Sequence, residues 1–158
     1  MSGIKHATTG AGTKVSPTVW AEAHVCASDE AMLFKLKDTF TDIAADNNRS
    51  SSLAWTDVNC TSAASSDAKA VLVRINLVIT TRGGSGYVWI KLRKNGTSED
   101  AWDIPGLYVH RDVCADSTTF KTSEICALDT SQILEWAITI SGAGWDVSTA
   151  MSVLGYWE

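Results

Sequence analysis

Apolar residues in this chain recur mainly at every second position, the period of a half-buried β-strand. The clearest case is "AKAVLVRINLVITT" (68–81), where Val71, Val73, Ile75, Leu77 and Ile79 share one face while Arg74, Asn76 and Thr80 fall on the other. After the Gly-rich turn "RGGSG" comes "YVWIKLRKN" (87–95), with Val88, Ile90 and Leu92 on one face and Tyr87, Trp89, Lys91 and Arg93 on the other. This spacing predicts a hairpin, closed beyond its second strand by a further turn at Asn95-Gly96. "AMLFKLKD" (31–38) alternates too, with Met32, Phe34 and Leu36 expected to face inward. Further strands fit 53–59, 107–113, 132–141 and 146–157, with shorter pieces near 39–44, 101–104 and 119–122. About eight strands without a long amphipathic helix predict an all-β fold, an antiparallel jelly-roll-like sandwich over residues 29–158.

Residues 1–28 follow a different pattern. "GIKHATTGAGTK" is rich in Gly and Thr with little to pack, as expected of an arm that orders against a partner. Ser16-Pro17 then supplies an N-cap and a first-turn proline, and Trp20, Ala23 and His24 follow at helical spacing, predicting a short helical turn.

A length of 158 residues suits one sandwich with a single core. No apolar run reaches the roughly eighteen residues of a membrane helix, so no membrane partner is expected. The opening "MSGIKHATTG" lacks the apolar centre of a secretory signal, which predicts a cytosolic product. The net charge of -5 argues against nucleic acid as a partner. Charge is nevertheless uneven, because residues 98–158 hold ten of the eighteen acids against only Arg111 and Lys121. Cys26, Cys60, Cys114 and Cys126 form no C-x-x-C pair and lack flanking His at zinc spacing, so free thiols and no metal are expected.

No catalytic motif emerges. His6, His24 and His110 are far apart, no nucleophile sits beside a base in a known pattern, and His110 suits a polar surface or interface position. Glu99, Asp100 and Asp103 lack the spacing of a calcium loop. The sequence therefore predicts neither enzyme activity nor a cofactor. It does point to association. The row Tyr87, Trp89, Lys91 and Arg93 needs cover, either from another copy or from a loop of the same chain. The last strand is apolar on both parities, with Met151, Val153 and Trp157 on one and Ala150, Leu154 and Tyr156 on the other. A strand buried on both sides predicts a homo-oligomer, with Leu154, Tyr156 and Trp157 joining Tyr87, Trp89, Lys91 and Arg93 as interface candidates.

Two motifs carry a resemblance to virion structural proteins of tailed bacteriophages. The first is "WAEAHV" (20–25) behind its Gly/Thr arm, and the second is the ending "VLGYWE" (153–158). "DAKAVLVRI" and "CALDTSQILEWAITI" are similar to core strands of such domains. The resemblance implies a non-enzymatic capsid decoration or cement knob on the virion surface, assembled in the bacterial host cytoplasm. It also implies a homotrimer whose N-terminal arm docks on the major capsid protein or another virion protein, with Trp20, His24 and Val25 as the docking residues. The alternative it leaves is a tail-fibre or receptor-binding tip, in which Trp89 and Trp102 would stack on host-surface glycans.

Overall fold

The computed structural model describes residues 33–98 and 105–158. The arm, the helical turn with Trp20, His24 and Val25, and also His6, Cys26 and Met32 lie outside the described residues, as do Glu99, Asp100, Trp102, Asp103 and the strand expected at 101–104. Residues Phe34–Glu158 form one compact unit.

Eight strands build it: β1 Phe34–Arg49, β2 Leu53–Asn59, β3 Ala70–Thr81, β4 Tyr87–Lys94, β5 Gly106–His110, β6 Thr118–Ala127, β7 Ile133–Ser141 and β8 Asp146–Trp157. They pair antiparallel in two four-stranded sheets, ordered β1-β8-β3-β6 and β2-β7-β4-β5. Only β4 and β5 are consecutive strands within one sheet, and the other connections pass between sheets, which is the wrapping of a jelly roll. The expected all-β sandwich is what the chain forms.

The core lies between the inner faces. Val71, Val73, Ile75, Leu77 and Ile79 of β3, with Val147, Met151 and Val153 of β8, meet Val88, Ile90 and Leu92 of β4 and Leu134 and Ile138 of β7, all fully buried. Alternation read from the sequence in β3 and β4 therefore sets the correct inward faces.

Three expectations change. First, β3 and β4 are not a hairpin, because β3 pairs with β6 and β8 while β4 pairs with β5 and β7. The Gly-rich turn carries the chain across to the other sheet, over buried Trp145. The Trp145 indole N–H donates to the carbonyls of Ser85 and Ser141 at 3.0 Å each, and a Cβ on Gly83 would collide with its ring.

Second, Phe34 and Leu36 do not face inward. Leu36 is 69% exposed, and residues 34–44 of the two expected pieces belong to one sixteen-residue edge strand, interrupted by bulges. Between Leu36 and Thr41 the strand gains extra residues against β8, so parity read from one end does not survive to the other. Third, the last strand is not buried on both sides. Val153 pairs with Val73 but Gly155 pairs with Leu72, leaving Leu154 as a bulge. The bulge flips parity, so Met151 and Val153 point inward before it and Tyr156 packs on the core after it. The basis for a two-sided partner on this strand is removed.

At the margins, the strand expected at 107–113 ends at His110 in a short 3-10 turn, Arg111–Val113, and the piece at 119–122 extends to ten residues as β6. Cys60 and Cys114 are free, buried thiols, and burial pushes Cys60 up to about 12.

Candidate functional site

Among the described residues, the densest grouping of aromatic and charged side chains lies on the outer face of the β2-β7-β4-β5 sheet. Alternation on β4 sends Tyr87, Trp89, Lys91 and Arg93 outward because Val88, Ile90 and Leu92 take the core. Pairing then brings neighbours to them. Trp89 pairs with Tyr108 of β5, and Arg93 pairs with Glu135 of β7. On β2, an irregularity between Leu53 and Thr56 sets Val58 inward and leaves Trp55 beside the cations of β4.

The result is a ladder. Tyr87 and Tyr108 lie tilted with ring centres 5.0 Å apart, and Trp89 meets Tyr108 edge-on at 6.2 Å. The Lys91 ammonium is 5.2 Å from the Trp89 ring and 5.4 Å from that of Trp55. The Arg93 guanidinium stands 4.1 Å over Trp55 while its Nε and Nη2 donate to Glu135 at 2.8 and 3.2 Å. Each cation–π contact is worth about 0.5–1 kcal/mol in a partly wet setting.

Burial follows from this arrangement. Ala137, the β7 residue opposite Lys91, is only 3% exposed between the inward-facing Trp136 and Ile138. Long side chains from β2 and β4 thus roof this part of the sheet. Burial lowers the Lys91 pKa below the ordinary lysine value, with the nearby Arg93 charge adding to the effect. Tyr108 is the open end, at 53% exposure.

The interface candidates from the sequence are therefore divided. Tyr87, Trp89, Lys91 and Arg93 come together, with the addition of Trp55 and Glu135. Leu154, Tyr156 and Trp157 lie on the other sheet, with Tyr156 inward, Leu154 in the bulge and Trp157 outward against Phe34 at 4.5 Å. His110 caps the 3-10 turn, its Nδ1 accepting from the Asp112 amide at 3.3 Å. No group of three metal-ligating side chains occurs among the described residues.

The ladder offers aromatic rings and cations as contact groups, with Tyr108 open to solvent. Trp55 was legible only as an aromatic in a strand, since the irregularity that turns it outward has no local marker. No protein-family model matches the chain, and no curated protein matches it.

Proposed function

We propose that this chain is a non-enzymatic structural subunit of a tailed-bacteriophage particle, a capsid decoration or cement knob. Residues 1–28 dock on the major capsid protein or another virion protein, with Trp20, His24 and Val25 as anchors, and the sandwich projects outward and self-associates. The supporting observation is the jelly-roll wrapping of β1 to β8, a rigid architecture that capsid domains share. Because the same fold carries other functions, the resemblance of "WAEAHV" and "VLGYWE" supplies the rest of the reading.

Particles assembled with and without the chain, imaged side by side, test it. Added density on the head supports the reading, and identical particles reject it. In the full chain, Trp20→Ala should weaken attachment by about 30-fold, the value of a 2 kcal/mol aromatic anchor.

One observation favours a second reading, a tail tip that binds host glycans: the open Tyr108 ring beside Trp89. Stacking on sugars needs free ring faces, and cations already lie over Trp55 and Trp89. A glycan array probed with the intact chain decides, since binding lost in Tyr108→Ala would favour the tip.

A further inference from the structure

The opposite outer face, that of the β1-β8-β3-β6 sheet, is built differently. Register aligns Phe34, Trp157, Ala70 and Ala127 in one row across its four strands. The next outward row is Leu36, Gly155, Leu72 and Ile125. Two adjacent rows are thus wholly apolar, and the large residues at both sheet edges are open, with Leu36 at 69% and Ile125 at 58% exposure. Contiguous apolar surface of this kind marks an interaction site.

The relief of the face points to what covers it. On the β1-β8 side the surface is raised, because the Phe34 ring leans on Trp157 and lies over Gly155, where a Cβ would come within 2.6 Å of it. On the β3-β6 side Ala70 and Ala127 leave it low in that row, while Leu72 and Ile125 fill the next. A step of this form fits a copy of itself. A two-fold axis parallel to the strands, between β8 and β3, lays each β1 over the partner's β6 and each β8 over the partner's β3. Phe34 then meets Ala127, Trp157 meets Ala70, and Leu36 meets Ile125. The next rows carry both charges, with Asp42, which accepts from Ser152, on β1, Arg74 in the same row on β3 and the exposed Lys121 one row further on β6, so each Asp42 comes beside the partner's Arg74 and the partner's Lys121.

Size also suits a second copy. Twelve-residue β3 and three neighbouring strands span a face of about 750 Å² at strand-spacing dimensions, of which the two apolar rows make up about a third, so a stable interface of roughly 800 Å² per partner would also draw in the polar rows of Ser152, Arg74 and Ser123. The bulged edge of β1 is a poor template for strand addition, which favours packing by face over pairing by edge.

We infer that the outer face of the β1-β8-β3-β6 sheet is a self-association surface, at which two copies of this chain pack face to face about a two-fold axis. The inference goes beyond the particle-subunit reading, which needs self-association but not this face. For this face it replaces the threefold that the resemblance implies. An isologous contact uses the same patch twice and closes at two copies.

Two measurements on the full chain test it. Light scattering at micromolar concentration should give twice the chain mass, and Ile125→Glu, at a site too exposed to disturb folding, should raise the dimer Kd about tenfold or more. Second, Leu36→Cys protein mixed with Ile125→Cys protein should give an oxidised heterodimer. Placed in one chain, the two sites are about 14 Å apart across three strand spacings, too far for a bridge within the chain. A monomer, a trimer, a dimer indifferent to Ile125→Glu, or no cross-link in the mixture would each overturn the inference. None of these results bears on attachment to particles, which Trp20→Ala tests separately.

Discussion

The two outer faces of the sandwich expose aromatic and apolar side chains in different ways. On the β2-β7-β4-β5 face each ring has a neighbour of its own chain: Trp55 lies under Arg93, Trp89 lies near Lys91, and Tyr87 lies against Tyr108. On the β1-β8-β3-β6 face, among the described residues, the Phe34–Trp157 contact and Arg74 over Phe40 are of this kind, while Leu36 and Ile125 stand open. An aromatic row on a strand is therefore not in itself a sign of a missing partner. What distinguishes the faces is how far the large side chains have neighbours of their own chain: cations lie over Trp55 and Trp89 on one, while Leu36 and Ile125 are open on the other. The ladder's rings are held by contacts within the chain, whereas Leu36 and Ile125 are exposed.

The largest effect should come from opening the ladder. Trp55→Ala removes the ring beneath Arg93 and uncovers the region of Ala137. Full burial of a Trp is worth about 3–5 kcal/mol against Ala, and half-buried Trp55 should cost about 2 kcal/mol. Chemical denaturation of the variant measures it. A loss under about 0.5 kcal/mol, the ordinary surface value, would mean that the ladder is decoration and that the faces do not differ in this respect.

Next in size is Arg93→Lys. The guanidinium makes two hydrogen bonds to Glu135, with side-chain exposures of 17% and 12% for the pair. Lysine can keep the charge but not the fork, and charge-assisted bonds in such a setting carry about 1.5–3 kcal/mol. Losing one of the two should cost about 1 kcal/mol, measurable as a lower denaturation midpoint with an unchanged slope.

How much of this was legible depends on the range of the cause. The inward faces of β3 and β4 follow from period-two alternation, a local property written into consecutive residues. The sheet partners of β3 and β4 do not. A Gly-rich turn signals reversal, but the crossing to the other sheet depends on Trp145, some sixty positions from Ser85 in the chain, reaching that carbonyl. Bulges are the second obstacle. Those at Leu154 and after Leu36 each shift parity without any residue that demands it, so the ending "VLGYWE" looks apolar on both faces when it is a strand that changes face halfway. The row Tyr87, Trp89, Lys91 and Arg93 was found from the sequence because it needs one strand. Trp55 and Glu135 were not, because they join it only through pairing.

A smaller effect is expected on the open face. Ile125→Thr keeps the β-branch and removes apolar surface at a position already 58% exposed. Folding stability measured at concentrations dilute enough to suppress association should change by less than about 0.5 kcal/mol. A loss as large as that from Trp55→Ala would show that Ile125 is held within its own subunit, and the contrast between the faces would fail.

The smallest effect concerns the border of the open face, where Lys35 and Ser65 both contact the Glu158 carboxylate. The hydrogen bond from Lys35, followed by that from Ser65, lowers the Glu158 pKa below its ordinary 4.5, and the same contact raises Lys35 above 10.5. The sign at each end is fixed by linkage. A carboxylate with a depressed pKa binds fewer protons folded than unfolded, so its contribution is present above pH 4.5 and fades as pH falls through the lowered value. An ammonium with a raised pKa contributes below pH 10.5, and that contribution fades as pH rises through the raised value. Both groups face solvent, so the pair should be weak and should weaken further with added salt. Denaturation midpoints of the native chain and of Glu158→Gln, compared across pH at low and high ionic strength, should converge as pH falls through the lowered Glu158 pKa and separate slightly near neutrality at low salt only. A gap near neutrality that persists at high salt would mean that this corner is shielded from water, and the open face would begin further inside the sheet than the row of Phe34 and Trp157.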